Sequence, residues 1–175
     1  TLSVFDISSY QNTVKLKSED FAFNGNVETL FPYGTSLFVG STDGVFIYDI
    51  TDPANFSYVS LFTHARACDP VYVEEDVAYV TLRSNTNGWC WGQTNQLDVL
   101  DVSSIRTPTL VNTYTMANPH GVGVDDSLLF ICEARVGLKV FSIQKDIVNN
   151  QLTNVNLTIL KYEPSIFAYD VIPNN

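Results

Sequence analysis

The side chains best suited to chemistry in this sequence are two imidazoles and a scatter of carboxylates. Glu28, Asp69, His120 and Tyr169 each stand just before a short apolar stretch, and His64 and Arg66 lie a few residues upstream of Asp69. Two carboxylates and an imidazole could hold a metal ion. His120 alone could serve as a general base near neutral pH. The competing, bland reading is that these groups cap strand ends and bond to water. No HExxH sequence, paired CxxC or EF-hand loop is present to support the sharper one, and no nucleophile is identifiable beside His120. The sequence calls for no cofactor.

A second candidate is the stretch Trp89-Cys90-Trp91, inside a polar segment running from Arg83 to Gln96. Long loops on a rigid β scaffold carry binding function more often than the scaffold does. Two indoles there could stack on a sugar or fill a pocket in a partner protein, or could fold back over the sheet beneath them.

The elements that must position these residues recur. Gly44-Val45-Phe46-Ile47-Tyr48-Asp49-Ile50 is echoed by the segments ending at Ile7, Val102 and Ile143. Aligned on the acidic column, Asp6, Asp49, Asp101 and Ser142 are 43, 52 and 41 residues apart. A period near 40 residues is the mark of a propeller or a solenoid. Within each period, four short apolar runs alternate with turn residues, and no 3.6-residue pattern persists. The fold expected is all-β, a segment of a β-propeller with four-stranded antiparallel blades and no helix.

The division expected is a half blade over 1–20, blades over 21–63, 64–116 (with residues 83–96 inserted) and 117–162, and one strand of a further blade over 163–175. Opening at strand three and closing after strand one, these residues are expected to be part of a larger ring. The segment Gln144 to Asn154, rich in Asn and Gln, is expected to be a mobile loop.

Phe46-Ile47-Tyr48-Asp49-Ile50-Thr51-Asp52-Pro53 and Val99-Leu100-Asp101-Val102-Ser103 resemble the LVIVD repeat of bacterial β-propellers. The stretch from His64 to Pro70, with Asn118-Pro119-His120-Gly121 and Asp170-Val171-Ile172-Pro173, is similar to a group of secreted and lipoprotein members. Ser142 departs from the acidic column. The resemblance implies export to the cell envelope or surface, and implies no activity.

Composition narrows the partners. The net charge is -10, with only 9 Lys and Arg against 19 Asp and Glu. Nucleic acids and anionic membranes are poor partners for such a surface, because their binding depends on basic residues. No run of 18 apolar residues is present to span a bilayer. A non-catalytic surface or envelope binding module, facing a protein or carbohydrate, is the function expected. A hydrolase or lyase built around Asp69 and His120 is one alternative. An accessory lipoprotein of an outer-membrane nutrient importer is another.

The three cysteines bear on compartment. Cys68 directly precedes strand one of its repeat, and Cys90 lies in the loop after strand two. Those two points share one edge of an antiparallel pair, so a disulfide is expected between them, with Cys132 a buried thiol. Such a bridge belongs to an oxidising compartment.

Overall fold

A computed structural model of the chain describes residues 1–21, 26–68, 70–84 and 90–173. It is all-β, in four antiparallel sheets. Strands β1 (Leu2–Asp6) and β2 (Val14–Glu19) form a two-stranded sheet. The first four-stranded sheet holds β3 (Val27–Tyr33), β4 (Ser36–Ser41), β5 (Gly44–Asp49) and β6 (Ser57–Thr63). The second holds β7 (Val71–Glu74), β8 (Val77–Leu82), β9 (Gln96–Asp101) and β10 (Thr109–Thr115). The third holds β11 (Val122–Asp125), β12 (Leu128–Cys132), β13 (Leu138–Val148) and β14 (Gln151–Glu163). Within each sheet, strands follow one another in chain order. First strands lie side by side, β3 against β7 and β7 against β11.

Successive side chains of a strand point to opposite faces. A strand covered on both faces therefore needs an unbroken apolar run. Ala78, Val80 and Leu82 face the first four-stranded sheet, packed with Phe38, Val45 and Ile47. Their neighbours Val77 and Tyr79 face the third sheet, packed with Val122, Val124, Leu129 and Ile131. Val39, Phe46 and Tyr48 turn the other way, onto Leu2 and Phe56. Each core is thus a layer between two consecutive sheets.

The acidic column has a backbone purpose. Oδ1 of Asp6 accepts from Ser8 N at 2.8 Å, that of Asp49 from Thr51 N at 2.8 Å, and that of Asp101 from Ser103 N at 2.9 Å. Each bond closes a turn that ends strand three. The Ser8 N–H holds the Asp6 carboxyl below the usual carboxylate range, and the Thr51 side chain, then its N–H, does the same for Asp49.

Ser142 has no carboxylate to close that turn, and there the strand runs on. β13 and β14 extend to a tight reversal at Asn149 and Asn150, with φ of 53° and 62°. Asn tolerates that left-handed conformation better than most residues. The expected mobile loop from Gln144 to Asn154 is therefore a β-hairpin arm. Asn112 of β10 braces it, donating to Asn154 Oδ1 at 2.8 Å and accepting from Val155 N at 2.7 Å.

Two further expectations need correction. The described residues include a helical turn, a 3-10 turn over Pro53–Asn55 capped by Asp52, which accepts from Ala54 N at 3.0 Å. Residues 163–173 continue β14 only at Glu163 and otherwise form no strand. They run beside β11 through an isolated Ala134–Ala168 bridge and a Gly121 N to Tyr169 O bond of 2.9 Å. Pro173 has no N–H to extend a ladder.

Candidate functional site

The segment before strand one and the end of strand two meet at one edge of each four-stranded sheet. Thr42 N donates to Asn26 O, Arg83 N to Cys68 O, and Cys132 N to Gly121 O, at 3.0, 2.9 and 2.9 Å. The repeat thereby stacks three equivalent edges. Where they converge lies a cavity of about 280 Å³ lined by Glu28, Cys68, Arg83, His120, Tyr169 and Asp170, among others.

Each lining group is placed by its backbone. Glu28 is the second residue of β3. Arg83 pairs with Cys68 in an antiparallel bridge, and its Nη2 lies 3.5 Å from Cys90 Sγ. His120 is held on both sides: its N donates to Cys132 O at 2.7 Å, and its O accepts from Thr81 Oγ1 at 2.7 Å. Its ring meets that of Tyr169 edge-on, with centroids 5.1 Å apart. Tyr169 and Asp170 press on Gly121 so closely that a Cβ there would lie 2.6 Å from Asp170 Cα. Only glycine lets the two segments approach this far.

The segment leading to His120 rests on Glu133, which is fully buried. One oxygen of Glu133 accepts from Ala117 N at 2.6 Å and Asn118 N at 3.2 Å. The other forms an ion pair with Lys139.

Of the residues singled out in the sequence, Glu28, His120 and Tyr169 come together. Asp69 and Trp89 lie outside the described residues. Arg66 does not line the cavity, and its guanidinium pairs instead with Asp43 at 3.3 Å. His64 does not line it either, and its Nδ1 lies 2.7 Å from Ala65 O. Trp91 is 62 % exposed, so its indole does not fold back into the sheet.

Cys68 and Cys90 are joined as a disulfide with Cα atoms 5.1 Å apart, and Cys132 is a buried free thiol. Burial, with the Asp170 charge behind it, pushes the Cys132 thiol up to about 11. The disulfide returns the insertion to the edge that carries His120.

Arg83 and Asp170 were missed in the sequence. Asp170 had no signal beyond its place beside Tyr169. Arg83 had one: it directly follows strand two, which by register puts it opposite Cys68.

At the far end of the second four-stranded sheet, Glu74-Glu75-Asp76 forms the acidic turn between β7 and β8. Glu75 and Asp76 take positive φ, and Lys145 pairs with Glu75 at 2.8 Å. Glu74 is half-buried, and burial raises its carboxyl pKa.

Burial, followed by the Arg83 charge, lowers the His120 pKa from 6.5. The folded protein therefore binds fewer protons at this site than the unfolded chain. His120's contribution to stability is whole above pH 6.5 and is lost as pH falls from there toward its folded pKa. We expect an NMR titration of the His120 ring with a midpoint below 6.5, moving upward in an Arg83→Met variant. A midpoint at or above 6.5 in the wild type refutes the assignment.

The chain matches no family model, and no curated protein matches it significantly.

Proposed function

We propose that this chain forms blades of a β-propeller and serves, outside the cell or in the cell envelope, as a binding module for an acidic saccharide. The propeller reading is supported by the repeat and by three antiparallel sheets whose first strands lie side by side. The compartment is supported by the disulfide, since such bonds persist where the surroundings are oxidising. No helix among the described residues is long and apolar enough to cross a membrane.

The observation that carries the ligand class is Arg83. It lines the cavity, yet among the described residues it forms no ion pair, in a chain of net charge -10. A guanidinium so placed suits a ligand carboxylate, which it can hold with two parallel hydrogen bonds. Glu28, Asp170 and the Tyr169 hydroxyl supply the acceptors and donor that sugar hydroxyls need. Trp91, exposed beside Cys90, offers a stacking face next to the same edge.

Calorimetric titration with glucuronate, galacturonate and neutral glucose tests this. A uronate is expected to bind more tightly than glucose, and Arg83→Met is expected to cost it about ten-fold or more in affinity, the worth of a charge-assisted bond. Equal affinity for uronate and glucose, or no effect of Arg83→Met, refutes the proposal.

A further inference from the structure

We propose that the Cys68–Cys90 disulfide and Glu28 form a reduction-gated metal site, specific for a thiophilic divalent ion such as Zn²⁺. This inference does not rest on the saccharide reading. The two sulfurs and a Glu28 carboxylate oxygen all lie within 4.8 Å of one another. While the sulfurs are bonded to each other they cannot act as thiolates, so the oxidised protein has no such site.

Reduction turns the bonded sulfurs into a pair of thiols beside Glu28. A dithiol breaks the Cys68–Cys90 bond and is itself oxidised to a disulfide. Two electrons and two protons pass to the cysteine sulfurs, and ion binding then releases both thiol protons to solvent. Cys68 keeps its place, because its backbone pairs with Arg83 in both directions, at 2.8 and 2.9 Å. A tetrahedral dithiolate site with bonds of about 2.3 Å holds its sulfurs about 3.8 Å apart. The 5.1 Å between the two Cα atoms accommodates that separation.

The charges also balance. Two thiolates and a carboxylate carry three negative charges. A divalent ion neutralises two, and Arg83, 3.5 Å from Cys90 Sγ, faces the third. A hydrogen bond from outside to a ligating sulfur is the usual support of a bound metal. The fourth position opens onto the cavity of about 280 Å³, with room for water or a ligand atom. Two thiolates with one carboxylate favour Zn²⁺ over Ca²⁺ or Mg²⁺, which prefer oxygen throughout.

The test is anaerobic equilibrium dialysis of the whole chain against Zn²⁺ and Cd²⁺, before and after reduction with dithiothreitol and its removal. The reduced protein is expected to hold one ion per chain, with a thiolate-to-Cd²⁺ charge-transfer absorption, while the oxidised protein holds none. Glu28→Gln should lower affinity at least about ten-fold, since loss of a ligand exceeds the outer-sphere effects known to reach that size. Cys132→Ser should change nothing. Circular dichroism must show the reduced chain still folded. A reduced chain that unfolds, one that binds no ion, one indifferent to Glu28→Gln, or one that loses binding in Cys132→Ser overturns the proposal.

Discussion

Cys90→Ser is expected to lower the stability of this protein by about 3 kcal/mol. The disulfide spans 22 residues, and closing a loop of that length removes chain entropy from the unfolded state worth about that much. For a domain of this size, 3 kcal/mol corresponds to a fall in Tm of roughly 6–12 °C. The check is thermal unfolding with and without reductant. Wild type with reductant should melt together with Cys90→Ser without it, since both lack the same cross-link. Cys132→Ser, which touches no bridge, should still respond to reductant. If the wild-type midpoint is the same in both conditions, the bridge contributes nothing and the oxidising compartment loses its main support.

The strands themselves were legible because their physics is local. The apolar run Val77–Leu82 is β8 in full, since a strand covered on both faces is bounded by Glu74-Glu75-Asp76 on one side and the insertion on the other. The Asp column was read as a repeat marker, and its meaning is a side-chain bond to the N–H two residues on. The same column carried a signal that the sequence reading did not use. Ser142 cannot close that turn, and the consequence is an arm of 11 and 13 residues in place of a loop. A count of Asn and Gln over 144–154 pointed to mobility, while the deciding feature lay two residues before it.

The site was less legible, because it is assembled by register across three sheets. His64 and Arg66 are near Cys68 in sequence, but Arg66 reaches the Thr42-Asp43-Gly44 turn of the previous sheet. Arg83 is 15 positions beyond Cys68 and faces it directly across β7 and β8. Sequence proximity was the wrong measure and strand pairing the right one. Tyr169 lies at this edge although its segment forms no strand. Its backbone carbonyl still accepts from Gly121 N, the contact a paired strand would have made.

Glu133 shows how the fold holds that edge, and its removal should have the other large effect. The carboxylate is fully buried, faces Lys139 on one side and takes two backbone N–H groups on the other. Desolvating a charge this completely is costly, and only its partners offset it. Glu133→Ala leaves the Lys139 cation and two backbone donors without their acceptor. A loss of about 3–5 kcal/mol is expected, in the range for breaking a buried pair by removing one member. Glu133→Gln should cost less, because its carbonyl still accepts from Ala117 and Asn118 while only the charge facing Lys139 is gone. The double variant Glu133→Leu with Lys139→Met should recover part of the loss, since no charge is then stranded. Denaturant unfolding of the four proteins measures the series. Amide exchange at Ala117 and Asn118 should quicken most in Glu133→Ala, as the segment that carries His120 to the cavity comes loose. A Glu133→Ala protein within about 1 kcal/mol of wild type would mean that Lys139 and the two amides find other partners, and that Glu133 does not position this edge.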